Sequence, residues 1–314
     1  MTAWQERRYY PISQYFKSRF GEKVGKISVS VAETCPNRQS PKMAACIFCD
    51  EYGSAAYPFE RENDLAEQIS SNRKHVQRRL RANKFLVYFQ AYTNTLGRIS
   101  ALEERFKIAL AEPDIVGLVV GTRPDCLPER IFPLFRDTAK NSYLMVELGV
   151  QSFFDDQLAF LRRGHHAESS LKAIQRLHEQ TTADIGIHLI FGLPNESDER
   201  LIATARQINQ LPIDNVKLHN LHVLKNTPLA TLYQNGEFAT IELDEYARRV
   251  IIFLRHLSPQ VAVQRLAAVA NRWDELIAPQ WTREKMQPLI FIEEQMAQAG
   301  YFQGDLYDGQ ATQA

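Results

Sequence analysis

Three cysteines, Cys35, Cys46 and Cys49, stand close together near the start of the chain, with ten residues between the first two and two between the last two. A Cys-x-x-Cys pair with one further thiolate suits a metal centre, because zinc and iron–sulfur clusters both accept thiolate ligands. A structural zinc ion needs four ligands, and no second Cys-x-x-Cys or His-x-x-x-His motif lies nearby. A four-iron cluster on three cysteines keeps one iron open for a small molecule. The spacing therefore favours a cluster over zinc, and either metal over three ordinary buried thiols.

The elements that position these cysteines alternate between strand and helix patterns. Short apolar segments are typical of buried parallel strands, and apolar stripes such as Ile99, Leu102 and Phe106 predict helices between them. Ser197 is a candidate cap for a later helix, and Pro133 interrupts the helical pattern of Leu127–Asp137. The alternation predicts an α/β protein with a parallel sheet, either open or curled toward a barrel. The predicted strands are Ile27–Ala32, Phe85–Ala91, Ile115–Gly121, Tyr143–Gly149, Asp184–Phe191 and Asn215–Leu221.

Composition limits the class of protein. The chain has 314 residues, of which 45% are hydrophobic and 24% are charged, which excludes collagen-like, coiled-coil and wholly disordered classes. Lys and Arg total 37, as do Asp and Glu, so the net charge gives no preference for nucleic acid or an anionic membrane. The longest apolar stretches, such as Ile115–Val120, are too short for a transmembrane helix, so no membrane partner is expected. No apolar segment typical of a secretory signal follows Met1–Tyr10, which predicts a cytoplasmic location.

No linker or internal repeat divides the chain. The predicted organisation is a basic, aromatic N-terminal extension over residues 1–26, an α/β core over residues 27–260, and a helical C-terminal extension over residues 261–314. The three cysteines directly follow the first predicted strand. They therefore lie at the carboxyl edge of the sheet, where parallel α/β folds bind ligands.

The cysteine loop and several later segments together resemble the radical S-adenosylmethionine (SAM) enzymes. Within them the chain is similar to the YhcC-type branch, related to the elongator catalytic subunit and the oxygen-independent coproporphyrinogen oxidases. The ten-residue gap departs from the commonest radical SAM loop, which has three residues there, and is similar to elongator-like members. The segments that carry the resemblance are Tyr88–Thr95, Gly121–Asp125, Glu147–Ser152 and Phe191–Pro194.

The resemblance implies a partial (βα)6 TIM-like barrel with extensions at both ends. In such a barrel Cys35, Cys46 and Cys49 would hold a [4Fe-4S] cluster whose open iron chelates SAM. One electron from a reductant such as flavodoxin or ferredoxin would cleave SAM to a 5′-deoxyadenosyl radical, which abstracts hydrogen from the substrate.

Further cofactor-binding residues are expected by position. Gln90 and Thr93 end the second predicted strand, where similar enzymes carry a Gly-rich segment that meets the methionine moiety of SAM. Glu147 and Gln151 lie on one face of the fourth strand and suit a ribose hydroxyl or an ammonium group. Arg163 falls where relatives place an arginine near the SAM carboxylate, with Arg162 as the alternative. The alternatives for these residues are a polar strand end, an internal hydrogen-bond network and an exposed arginine.

Other residues have less defined roles. Cys126 follows the third strand and is the candidate catalytic residue; its other interpretations are a buried small residue and an extra cluster ligand. His188, Lys217 and His219 are placed to face the barrel interior near a substrate, or are ordinary core and rim residues.

A basic segment, residues 73–84, carries six Lys or Arg and no acid. With Arg7, Arg8, Lys17 and Arg19 it could bind RNA phosphates, and the aromatic residues Tyr9, Tyr10, Tyr15 and Phe16 could stack on bases; the alternative is a solvated surface. By analogy with the elongator enzymes, the predicted substrate is tRNA, at a wobble uridine. A small-molecule or tetrapyrrole substrate is the alternative enzyme function. A non-catalytic protein that uses the metal for structure, or that senses iron, is the alternative outside the enzymes.

Overall fold

The computed structural model describes residues 7–31, 35–38, 46–49, 64–270 and 273–309. Within these residues, seven parallel strands form one curled sheet, and two short strands form a separate antiparallel pair. The predicted fold class, a partial TIM-like barrel, is confirmed. The strands are β1 (Val24–Val29), β2 (Lys84–Phe89), β3 (Ile115–Thr122), β4 (Tyr143–Gln151), β5 (Asp184–Phe191), β6 (Asn215–Asn220), β7 (Val223–Leu224), β8 (Ala262–Arg265) and β9 (Leu276–Ala278).

The large sheet has the order β1-β2-β3-β4-β5-β6-β8, and β7 pairs with β9. Helices connect successive strands, and they pack their apolar stripes on the outer face of the sheet. The helices of the described part of the chain are α1 (Ile12–Phe20), α2 (Leu65–Leu80), α3 (Ile99–Ala111), α4 (Phe132–Asn141), α5 (Asp155–Phe160), α6 (Ala167–Gln180), α7 (Asp198–Asn209), α8 (Pro228–Gln234), α9 (Leu243–His256) and α10 (Gln287–Gln298).

All six predicted strands are present, with ends that differ by a few residues; the predicted end at Ala32 lies outside the described residues. Every residue of β4 is buried, which explains why its sequence is almost continuously apolar. Ser197 caps α7 as expected, since its side chain accepts a hydrogen bond from Arg200 N. The helix predicted at Leu127 begins later, at Phe132, because Pro133 fits only in a first turn, where no amide donor is needed.

The seventh strand of the sheet, β8, was not predicted. It pairs in parallel with β6, with Asn215 opposite Ala262 and Val216 opposite Val263. Its four residues are too few to show a strand pattern in sequence. The segment expected to be a helical extension thus contributes to the sheet, and the domain boundary near residue 260 stays a prediction.

The curl of the sheet brings its two edge strands together. Lys26 in β1 donates a hydrogen bond to Gln264 in β8, 238 residues later in the chain. Glu147, in the central strand β4, contacts Lys26 from β1 and Lys217 from β6. Side chains from distant strands therefore meet inside the curve of the sheet.

The N-terminal segment is fixed to the C-terminal part of the chain. Val263 N donates to Tyr10 O at 2.7 Å, and Gln303 N donates to Arg8 O at 2.8 Å. Tyr9 and Phe16, expected as candidates for base stacking, are instead buried in hydrophobic clusters. Because burial in the core already removes these two rings from water, they are not available to stack on a nucleic acid. No helix in the described part combines the length and apolar character needed to cross a bilayer.

Candidate functional site

A cavity of about 250 Å³ lies inside the curve of the sheet at the carboxyl ends of its strands. Cys35, Cys46 and Cys49 all line it, as the position of their loop after β1 predicts. Four of the five residues predicted to bind SAM line the same cavity: Gln90, Thr93, Gln151 and Arg163.

The three cysteines are free thiols, and the sulfur atoms of Cys46 and Cys49 receive hydrogen bonds from neighbouring side chains. Cys46 Sγ accepts from Asn37 Nδ2 at 3.2 Å and from Arg163 Nη1 at 3.4 Å. Arg38 Nη2 lies 3.6 Å from Cys49 Sγ and also donates to the Cys49 carbonyl. Donors of this kind stabilise sulfur that carries negative charge, as in a metal-bound thiolate.

Asn37 and Arg38 were missed by the sequence analysis. They stand two and three residues after Cys35, in the 3₁₀ turn Pro36–Arg38, and this closeness to a predicted ligand was the available signal. Asn37 Nδ2 also donates to the carbonyls of Arg162 and Arg163, so the turn is tied to the loop after α5.

Burial raises the pKa of the Cys35 thiol, so this group is protonated in the metal-free protein at neutral pH. A metal binds the thiolate, and loading the site therefore releases a proton. Among the described residues, no three His, Cys, Asp or Glu side chains are gathered closely enough to hold a single metal ion.

Arg163, and not Arg162, is the arginine at the cavity. Arg163 is buried, whereas Arg162 is exposed. The Nη2 atom of Arg163 donates a hydrogen bond to Gly149 O at 2.8 Å. A Cβ atom at position 149 would lie 2.9 Å from Gln151 Nε2 and 3.2 Å from Arg163 Nη2, so a larger residue would displace both. Gly149 is therefore needed for the close approach of this arginine to β4.

Gln90 and Thr93 lie in the turn after β2. Gln90 N continues the ladder by donating to Val29 O at 3.0 Å. Asn94 holds the turn in place, since its side-chain amide donates to Phe89 O and to Gly121 O. Thr93 is 2% exposed, and its hydroxyl has no hydrogen-bond partner among the described residues. A buried hydroxyl without a partner at a cavity wall is suited to a bound ligand.

Glu147 does not line the cavity but lies fully buried beneath it. Its carboxylate contacts Lys26 at 2.8 Å, His188 at 2.7 Å and Lys217 at 3.3 Å. Burial opposes its ionisation, yet Lys217 and Lys26 outweigh that effect and hold the pKa of Glu147 well below its usual value. This internal network agrees with the alternative interpretation of Glu147, whose binding to SAM stays a prediction.

His188, Lys217 and His219 all line the cavity, on the side formed by β5 and β6. Burial lowers the pKa of Lys217 to about 7, although Glu147 acts in the opposite direction. Burial, reinforced by Lys217, lowers the pKa of His188 to about 4, so this ring is neutral at pH 7. Burial and Arg265 hold the pKa of His219 well below its usual value. This side of the cavity therefore combines neutral imidazoles with an amine that titrates near neutrality.

Cys126 lies behind the cavity wall and does not line it. It is buried, and burial together with Asp125 raises the pKa of its thiol to about 12. Asp125 itself forms a two-point ion pair with Arg123, at 2.8 and 2.7 Å. The environment agrees with the interpretation of Cys126 as a buried small residue, and its catalytic role stays a prediction.

The basic segment forms the last turns of α2 and the loop after it. Lys74, Arg78, Arg79 and Arg81 are exposed there. Since α2 runs from the cysteine loop back to the start of β2, these residues lie near the amino ends of the strands. Strand β2 has six residues, so about 20 Å separates that end from the cavity.

The chain is similar in sequence or in fold to several known proteins. The chain is 32% identical to Protein YhcC of Escherichia coli K12 over 284 residues, which is 90% of each protein. It is 30% identical to the tRNA uridine(34) acetyltransferase of Methanocaldococcus jannaschii over 165 residues, 51% of this chain and 30% of that protein. The solved structure of archaeal Methanocaldococcus infernus Elp3, with an N-terminal deletion, superimposes with a TM-score of 0.69 at 19% identity, covering 89% of this chain and 64% of that one. The last likeness is one of fold.

Two family models cover most of the chain. Residues 213–298 match the Radical_SAM C-terminal domain, and residues 29–208 match the Radical SAM superfamily. The second range contains all three cavity cysteines and the strands β2 to β5 that carry the other predicted cofactor residues. With more than half of the sequence matched and with the cysteines at the carboxyl edge of a partial barrel, the chain belongs to the radical SAM superfamily.

Proposed function

We propose that this protein is an enzyme that holds a [4Fe-4S] cluster on Cys35, Cys46 and Cys49 and uses it to cleave SAM reductively. The observation that carries the proposal is that all three thiols face one cavity and that the thiols of Cys46 and Cys49 receive N–H donors from Asn37, Arg163 and Arg38. Such donors lower the cost of gathering negative charge on sulfur.

The residues present fit the cofactor. The ligand set consists of thiols and leaves the fourth position to a small molecule, as a cluster with one open iron requires. Arg163 Nε and the Thr93 hydroxyl are buried polar atoms without partners among the described residues. Both belong to residues that line the cavity beside the cysteines, where a carboxylate or amino group of SAM would satisfy them.

The chain's own residues bind and orient in this mechanism. Arg163 would hold the SAM carboxylate, Gln90 and Thr93 the methionine part, and Gln151 the ribose, with Glu147 fixing the strand from below. Lys217 and His188 line the cavity above the fully buried Glu147, whose carboxylate fixes both side chains by hydrogen bonds. A cluster held by Cys35, Cys46 and Cys49 and reduced by a flavodoxin or ferredoxin would supply the electron for reductive cleavage of SAM.

The proposed substrate is tRNA, at a wobble uridine. The support is the 30% identity with a tRNA uridine(34) acetyltransferase over half of this chain, together with the exposed Arg78, Arg79 and Arg81. A domain division near residues 26 and 260 belongs to the same proposal, with the core carrying the cofactors.

The proposal is tested by reconstituting the protein without oxygen, counting iron and sulfide, and assaying 5′-deoxyadenosine under a strong reductant. Wild type should hold about four irons per chain. Cys46→Ala should lose iron and SAM cleavage while it keeps its circular dichroism spectrum. Bound zinc in place of iron, or an intact cluster that never cleaves SAM, would replace the proposed enzyme with a structural or iron-sensing protein.

Cys126→Ala is the matched control, since it removes a buried cysteine that does not line the cavity. Its iron content should equal that of wild type. Loss of iron in this variant would instead make Cys126 a fourth ligand and leave no open iron for SAM.

A further inference from the structure

The cavity carries an excess of positive charge. Four basic side chains line it, namely Arg123, Arg163, Lys217 and Arg265, whereas no aspartate or glutamate lines it among the residues that the structure describes. Arg123 is neutralised by Asp125. Lys217 must share the single carboxylate of Glu147 with Lys26. The charge on the inner surface is therefore not balanced by the protein.

On the wall of the cavity formed by β6 and β8, Arg265 is the cation with the least compensation. It forms no ion pair with any carboxylate in the described part of the chain. Within the described residues, Arg265 donates hydrogen bonds to neutral acceptors, the Leu218 carbonyl at 3.3 Å and the His219 ring at 2.6 Å. A partly buried guanidinium without a counter-charge is costly unless a ligand supplies one.

Two further groups on this side offer donors. Lys217 Nζ lies 3.0 Å from the Tyr88 hydroxyl, and both residues line the cavity. Asn220, which is 3% exposed, also lines it. The Asn220 side-chain oxygen is occupied by Ala268 N, while its Nδ2 donor has no partner among the described residues. The wall formed by β6 and β8 therefore presents a guanidinium, an amine that titrates near neutrality and one unused amide donor.

We infer that this wall is an oxyanion subsite, in which Arg265, Lys217 and Asn220 hold a carboxylate or phosphate group of the substrate. An arginine fork with an adjacent ammonium suits both groups. The subsite and the three cysteines line the same cavity, so an anchored substrate would lie in the same space as SAM. The role of the subsite in holding a substrate rests on the proposed radical SAM function. Binding of the anion itself requires neither the cluster nor SAM.

The test measures binding of inorganic phosphate and of acetate to the purified chain by calorimetry at constant ionic strength. We expect saturable binding of one anion per chain. Arg265→Gln and Lys217→Met should each weaken it by about tenfold or more, as expected for the loss of a charge-assisted hydrogen bond. Arg136→Gln, which removes an exposed arginine on α4, is the matched control and should bind as wild type does. Absence of saturable binding in a folded wild type, or equal binding in Arg265→Gln, would overturn the inference.

The two probes separate the sources of the oxyanion. Tighter binding of phosphate supports a nucleotide or another phosphorylated substrate, and tighter binding of acetate supports a carboxylate. Arg265→Lys keeps the charge and loses the fork, so partial recovery of affinity, with an unchanged circular dichroism spectrum, distinguishes recognition from a folding defect.

Repeating the titration on the reconstituted holoenzyme with SAM present decides which molecule uses the subsite. Simultaneous binding of anion and SAM supports a substrate subsite. Competition between them would assign Arg265 to the SAM carboxylate and overturn the inference. If the protein binds the anion but fails to cleave SAM, the subsite stands and the proposed function is rejected. If it cleaves SAM but does not bind the anion, the proposed function stands and the subsite is rejected.

Discussion

At the scale of single residues, the carboxylate of Glu147 is the negative charge that compensates basic side chains inside the barrel. One fully buried carboxylate contacts two lysines and a histidine that come from β1, β5 and β6. Removing one partner from a buried ionic group leaves its counter-charges uncompensated, which costs more than the intact group contributes.

Glu147→Gln should therefore lower the free energy of unfolding by about 3 kcal/mol at pH 7, because Lys26 and Lys217 would lose their shared negative charge. Urea denaturation followed by circular dichroism measures the change. Glu129→Gln provides the control, since the Glu129 side chain is 73% exposed and pairs with Arg176 on the surface. That substitution should cost less than about 1 kcal/mol. If both variants lost the same free energy of unfolding, the buried ion pairs of Glu147 would contribute no more to stability than a surface ion pair.

Residue types and spacing predicted the three cysteines, whereas the roles of Gln90, Thr93, Gln151 and Arg163 also needed the resemblance to the radical SAM enzymes. Thiol spacing and the ends of apolar strands are local signals, so the sequence carries them directly. Arg265 could not be predicted in this way. Its role depends on a strand of four residues whose place in the sheet is set by pairing with β6, which is a long-range contact.

At the scale of elements, α1 packs against the amino ends of two central strands. The hydroxyls of Tyr15 and Tyr143 both donate to Asp184 Oδ2, and Arg19 lies 3.8 Å from the other oxygen. Asp214, just before β6, lies next to this group. Burial, reinforced by Asp184, raises the pKa of Asp214 to about 6.

A raised pKa means that folded Asp214 holds its proton more tightly than the unfolded chain does. Its ionisation thus destabilises the fold as the pH rises through about 4 to 6. Asp214→Asn should raise the free energy of unfolding by about 1–2 kcal/mol at pH 7.5 and by much less at pH 4. The Asn oxygen can still accept from Ile185 N, as Asp214 does at 2.7 Å.

Urea titrations at both pH values measure this difference. Asp137→Asn, on the exposed face of α4, is the control and should change stability little at either pH. A gain of equal size at pH 4 and pH 7.5 would exclude ionisation of Asp214 as its cause.

Helices and strands were predicted best where one pattern of apolar residues continues over several helical turns or along a full strand. The strands β2 to β6 and the helix α3 satisfy this condition, whereas β7, β8 and β9 have two to four residues each. Such short strands form because other parts of the fold present a partner edge, so their own sequence shows no distinct pattern.

At the scale of the whole molecule, a chain of zero net charge separates its charges in space. The basic residues of α2 lie near the amino edge of the sheet, and the cavity opens at the carboxyl edge. A tRNA bound to the basic surface must therefore extend about 20 Å along the molecule to reach the cysteines.

Changing Arg78, Arg79 and Arg81 together to Glu should weaken retention of tRNA by at least about tenfold at low salt, since phosphate contacts dominate such binding. Filter binding at several salt concentrations measures the change and its salt slope. Cleavage of SAM without tRNA should be unaffected, because these arginines lie outside the cavity. Unchanged tRNA binding would mean that this surface is only solvated.

The junction between Arg8, Tyr10 and Gln303 has a consequence for protein synthesis. Tyr10 and Gln303 lie 293 positions apart, yet each supplies a hydrogen bond that fixes the other's segment. At typical translation rates, roughly 15–60 s pass between the emergence of the two residues from the ribosome. During that interval the backbone of Arg8 and Tyr10 lacks its partners Val263 and Gln303, so the segment around Tyr9 is fixed only when synthesis is almost complete.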